Sequence, residues 1–169
     1  ARYLFRNFYR REHYLNEIFP DYAQEASVTE NGGLSLVDAA ILHAMIRHHN
    51  PKKIVEIGGG SSTQIAARAC LMNSADRLPS ELITIEPHPG PVLRNGIPGL
   101  SDLIQSNVED VELKRLIDCD LLFIDSSHFA QTGSDVNYEI LEIIPRLKPG
   151  SIIHWHDVLL PGEYWKSWV

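Results

Sequence analysis

The sequence is short of sulfur and of positive charge. It has two cysteines, Cys70 and Cys119, in 169 residues. They form neither a metal-binding spacing nor a paired framework. That excludes a disulfide-stapled secreted scaffold and a thiolate zinc site, and predicts a reduced, cytoplasmic setting. Lys and Arg total 15 against 22 Asp and Glu, for a net charge of −7. Such a balance argues against nucleic acid and against an anionic membrane surface as partners. No apolar run approaches the roughly 20 residues needed to span a bilayer, and no secretory leader is visible. Internal repeats and low-complexity tracts are also lacking. The chain opens on Ala1 and not on Met, which predicts a processed or trimmed piece. Its length suits one domain with one good core.

The stretch that organises the rest is Ile54-Val55-Glu56-Ile57-Gly58-Gly59-Gly60-Ser61-Ser62. An apolar run carrying one acid meets three glycines, two hydroxyl residues and then a helical pattern. This is the strand–loop–helix opening of a nucleotide-binding α/β unit. Glycines allow the sharp turn and a close ligand approach, and the helix start offers free N–H groups. The dinucleotide fingerprint Gly-x-Gly-x-x-Gly is met at Gly58 and Gly60 but broken at Thr63, which weakens a nicotinamide-dependent oxidoreductase reading without removing it. A plain strand-to-helix turn, in a binding domain without catalysis, is the other use of such a loop.

Residues 1–33 read as an N-terminal helical, aromatic extension, and residues 34–169 as the main domain. In the extension Arg2, Arg6, Arg10 and Arg11 interleave with Tyr3, Phe5, Phe8, Tyr9 and Tyr14. The acidic remainder favours a packing face, against the domain or a second copy, so a homo-oligomer is expected through this segment. Ser35 is then an N-cap with Asp38 three residues on. The spacing of Leu36, Val37, Ala40, Ile41, Ala44 and Met45 predicts a helix that ends at Asn50-Pro51. A strand over about 53–57 follows, then a helix with Ile65, Ala66, Ala69 and Met72 buried.

Leu82 to Glu86 reads as a second strand ending in an acid, and such an acid accepts hydrogen bonds from ribose hydroxyls in nucleotide-binding domains. Leu103 to Ser106 is a short third strand, and a helix is expected from Asn107 to about Leu116. Cys119 to Ile124 is an almost wholly apolar fourth strand, as expected of a strand buried on both faces. It ends in Asp125-Ser126-Ser127-His128. A helix from Ser134 closes at Leu147-Lys148-Pro149-Gly150, and a fifth strand over 151–155 ends in His156-Asp157. His154 is expected to be a satisfied core histidine and Trp155 a core residue. Strands alternating with helices throughout predict an α/β fold with a doubly wound parallel sheet.

Glu56-x-Gly58-x-Gly60, Asp125-x-x-His128, Asp135-x-x-x-Glu139, Leu147-Lys148-Pro149-Gly150 and His156-Asp157 together resemble one family in order and spacing. The chain over about 34–160 looks like a class I S-adenosylmethionine-dependent methyltransferase, of the branch similar to macrolide and sugar O-methyltransferases and cephalosporin-hydroxylase-like proteins. The resemblance implies a Rossmann-like sheet of order 3-2-1-4-5 with helices on both faces. The family's terminal antiparallel strand pair is expected to be missing, because little sequence follows the fifth strand. The implied cofactor is S-adenosylmethionine. Glu56 and Gly58, Gly59 and Gly60 with Ser61 and Ser62 would flank its methionine part, Glu86 its ribose, Val108 and Glu109 its adenine, and Asp125 its sulfonium.

Strands four and five should be neighbours, so the residues that end them converge. Asp125 and Asp157 make a donor set for a divalent ion, Mg²⁺ or Mn²⁺, with His156 either as third ligand or as a support that orients Asp157. His128 is placed to act as general base, since an imidazole titrates near neutral pH. The expected reaction is methylation of a small-molecule hydroxyl.

Overall fold

The computed structural model describes residues 34–158 and Gly162. The N-terminal extension expected over 1–33, and with it the oligomer contact, lies outside the described residues. Ser35 caps helix α1 (Leu36–His49) by accepting the Asp38 N–H at 3.3 Å. The helix ends on Asn50 in the left-handed region, with φ 46°, just before Pro51. Strand β1 (Lys53–Ile57), helix α2 (Ser61–Ala75) and strand β2 (Glu81–Ile85) follow. After the short helix α3 (Pro91–Arg94) comes strand β3 (Asp102–Ile104). A 3₁₀ turn (Val108–Asp110), helix α4 (Leu113–Ile117) and strand β4 (Leu121–Ile124) come next. Helix α5 (Asp135–Tyr138) runs on through a π-helical turn (Glu139–Ile143) and a 3₁₀ turn (Ile144–Arg146) to strand β5 (Ile152–Trp155).

The five strands are parallel and ordered β3-β2-β1-β4-β5, as expected. Successive residues along each strand face opposite sides, so the apolar runs feed two cores. Ile54, Leu82, Leu121 and Phe123 pack with Ala39, Leu42 and Ile46 of α1 and Ile65, Ala66 and Ala69 of α2. Val55, Ile57, Ile83, Leu122 and Ile124 pack on the other side with Val108, Leu116 and Ile143. Helices therefore cover both faces. Among the described residues no helix is long and apolar enough to cross a membrane. Cys70 and Cys119 are free and buried.

Three local expectations are corrected. The buried stripe of α1 is Ala39, Ala40, Leu42, His43 and Ile46, while Val37 is exposed. The helix expected from Asn107 is split into the 3₁₀ turn and α4, with Val111 extended between them. His154 does pack inward, edge-on to Phe123, but its buried Nδ1 has no hydrogen-bond partner among the described residues.

Candidate active site at the carboxyl edge of the sheet

Parallel strands with matched register end together, so the residues just beyond their ends share one edge of the sheet. Ile57 is paired with Ile85 and with Ile124, and Ile124 with Trp155. Gly58, Glu86, Asp125 and His156 are the next residues on each strand. The ladder continues through them: Gly58 N–H donates to Ile85 O, Asp125 N–H to Ile57 O and His156 N–H to Ile124 O, at 2.9–3.0 Å.

On the β1–β2 side the glycine loop is held from below. Glu56 is 1% exposed. Its Oε1 accepts from the Ser62 hydroxyl at 2.6 Å and its Oε2 from the Thr84 hydroxyl at 2.7 Å. Burial pushes this carboxyl up to about 7 against the pull of those hydroxyls. Glu56 and Ser62 thus lie beneath the loop, and Ser61 opens α2. Glu86 accepts the Gly59 N–H at 3.0 Å and the His88 N–H at 2.7 Å, which ties the ends of β1 and β2 together. Thr63, at the site of the broken fingerprint, accepts the Gly60 N–H at 3.0 Å. Gly58 has φ 86°, and a Cβ there would lie 1.9 Å from the Asp125 carbonyl oxygen. Only glycine fits where the loop crosses the end of β4. Val108 is buried in the second core and Glu109 beside it is exposed.

On the β4–β5 side four side chains converge. Donor atoms of Asp125, His128, His156 and Asp157 all lie within 4.8 Å of one another. His156 Nδ1 is 3.1 Å from Asp125 Oδ1 and 3.5 Å from Asp157 Oδ1. His128 Nε2 is 3.3 Å from Asp125 Oδ1 and 3.8 Å from Asp157 Oδ2. His128 and Asp157 both have left-handed backbone, φ 62° and 56°. Asp and His are among the non-glycine residues that enter this region most readily. The hydrogen bond to Asp125, then the nearby acids, raise His156 to about 9. Burial pushes Asp125 up, but His156 and His128 outweigh it and hold the carboxyl below its usual range.

A family model described as a methyltransferase domain matches residues 55–158, which span the glycine loop, both strand ends and all four clustered residues. The chain belongs to this methyltransferase domain family. An uncharacterised protein of Archaeoglobus fulgidus is 39% identical to this methyltransferase domain over 85 residues, 49% of the chain and 38% of the relative. The chain thus spans under two-fifths of that relative's length. A Podospora anserina methyltransferase with SAH bound superposes with a TM-score of 0.58 at 20% identity, covering 89% of this chain and 69% of that one. A Bacillus cereus O-methyltransferase in complex with SAH gives 0.51 at 18%, covering 85% and 65%. TomG, an O-methyltransferase of Streptomyces achromogenes in complex with SAM, gives 0.50 at 20%, covering 81% and 63%. At these identities the likeness is one of fold.

Two features of the candidate site escape a reading of the sequence. Asp38, read only as a capping residue, also places Oδ2 3.5 Å from His156 Nε2. The loop after β4 is clipped to the next helix: Asp135 accepts the Ser127 N–H at 2.9 Å and its hydroxyl at 2.5 Å. Glu139, in the π-helical turn, accepts the Ser126 hydroxyl at 3.1 Å. Adjacent hydroxyl residues facing acids spaced four apart were the available signal for these clips.

Proposed function

We propose that this methyltransferase domain is an S-adenosylmethionine-dependent O-methyltransferase that acts on a small-molecule hydroxyl with help from a divalent ion. The observation that carries this reading is the cluster of Asp125, His128, His156 and Asp157 beside a glycine loop on one sheet edge. Family membership and the SAM- and SAH-bound neighbours of like fold support the cofactor. The net charge of −7 argues against a polyanionic acceptor such as nucleic acid or an anionic membrane.

Two carboxylates and an imidazole fit a divalent ion, because an ion between like charges removes their repulsion. Asp125, Asp157 and His156 would hold it. The nitrogen donor favours Mn²⁺ over Mg²⁺, which prefers an all-oxygen shell. A bound ion would lower the pKa of an acceptor hydroxyl. The Gly58–Gly60 backbone and Glu86 would bind and orient the cofactor at the sheet edge that Asp125 shares. Methyl transfer is an in-line displacement, and most of the enzyme's contribution is such positioning. His128 Nε2 would take the hydroxyl proton.

Calorimetry with S-adenosylhomocysteine, NAD and NADP tests the cofactor. The homocysteine compound should bind and the dinucleotides should not. Tight NAD binding without the homocysteine compound sinks the reading in favour of an oxidoreductase. A screen of hydroxyl acceptors with labelled cofactor, before and after exhaustive chelation, tests the ion. A rate unchanged by chelation leaves Asp125 and Asp157 as positioning residues only.

A further inference from the structure

His156 uses both ring nitrogens. Nδ1 faces into the cluster, 3.1 Å from Asp125 Oδ1 and 3.5 Å from Asp157 Oδ1. Nε2 faces the other way, 3.5 Å from Asp38 Oδ2. The His156 side chain is only 13% exposed, so the ring has little room to turn away. Asp38 is itself held. Its backbone N–H is capped by Ser35, and its Oδ2 also accepts the Ser35 hydroxyl. Helix α1, which carries it, is anchored through the buried Ala39, Leu42 and Ile46.

We propose that Asp38 is a positioning residue that holds the His156 ring with Nε2 toward α1 and Nδ1 toward the cluster, where a bound ion would take the place of the Nδ1 proton now shared with Asp125. This rests on the divalent-ion reading of the cluster. A histidine that ligates through one nitrogen usually donates the other N–H to a carboxylate or carbonyl, which fixes the tautomer and strengthens the ligand. Asp38, with Oδ2 3.5 Å from Nε2, is the carboxylate placed for that role, on an element outside the β4 and β5 loops. It also gives α1 a share in the site. The bland alternative is that Asp38 serves only the start of its own helix, as an acid in the first turn does. That role would leave the His156 ring and the ion indifferent to its charge.

The two are separated with the full chain, without an acceptor. Asp38→Asn keeps shape and removes the charge. Long-range ¹⁵N–¹H correlations of the histidine rings report the protonation and hydrogen bonding of each His156 ring nitrogen, and paramagnetic resonance of free Mn²⁺ reports the ion's affinity. Asp38→Asn should shift the His156 ring nitrogens and weaken Mn²⁺ binding by about 10- to 100-fold, with S-adenosylhomocysteine affinity unchanged. Asp38→Glu should recover part of the loss. In a His156→Ala background Asp38→Asn should cost Mn²⁺ affinity nothing more. Unchanged ring nitrogens together with unchanged Mn²⁺ affinity overturn the proposal, and so does a full additive loss in the double variant. If the unaltered protein binds no Mn²⁺, the ion reading falls by itself. The ring nitrogens then decide the pairing alone: a shift in Asp38→Asn upholds it, and none overturns it.

Discussion

The glycine-loop side of the sheet edge and the β4–β5 side use carboxylates in opposite ways. Glu56 and Glu86 already have their partners: hydroxyls for the first, backbone N–H groups for the second. They shape the chain. Asp125 and Asp157 meet histidines at 3.1–3.8 Å, on a backbone that is left-handed at His128 and Asp157. Glu56 is internal architecture, and Glu86 braces the loop while keeping lone pairs for a ligand. Asp125 and Asp157 form a charge arrangement into which a cation would fit. The glycine loop is thus braced from within the chain, while the acids of the β4–β5 side meet the rings of two histidines.

The most direct way to break this comparison is at the point where the two sides touch. Gly58→Ala puts a Cβ against the Asp125 carbonyl and forces φ 86° on a residue that resists it. It should destabilise the fold by at least about 3 kcal/mol, read by urea unfolding. Next, Asp157→Asn should weaken Mn²⁺ binding by about 100-fold or more while leaving S-adenosylhomocysteine affinity intact. Equal losses of both ligands would mean that the two sides do not divide the labour. A smaller effect separates the glutamates. Glu56 holds its proton to about 7 when folded and releases it near 4.5 when unfolded. Between those values the native state binds more protons, so stability falls as pH rises and levels off above about 7. Glu56→Gln removes that cost. Its advantage over the unaltered protein should grow across this window to roughly 3 kcal/mol, measured by unfolding at several pH values. An advantage that does not change with pH defeats the assignment. The smallest effect is expected of Ser127→Ala, which loses the hydroxyl half of a loop clip. It should cost about 1 kcal/mol, with a visible change in the His128 ring signals but none in cofactor affinity.

Much of this edge was legible from sequence. Asp125 and His156 directly follow apolar runs, and Glu86 closes one, so once the strands are parallel their convergence is forced. The sheet order came with the resemblance carried by those same residues. The α1 face was misread because α1 carries two apolar stripes, and only contact with α2 and the sheet chooses Leu42 and Ile46 over Val37. The split after Asn107 and the π-helical turn at Glu139 are responses to packing, which no local pattern encodes. Asp38 was legible as a cap because capping is local. Its approach to His156 was not, because that contact joins the two ends of the domain.

The crossing at Gly58 also has a genetic consequence. The atom that would meet a side chain there is a main-chain oxygen, which every amino acid at position 125 carries equally. A substitution at 58 therefore has no partner codon at 125 that could relieve it. Intragenic suppressors of a Gly58 allele should be reversions to glycine, or changes that shift the whole β4 backbone, and a pairwise mutational scan should find no compensating pair between the two positions.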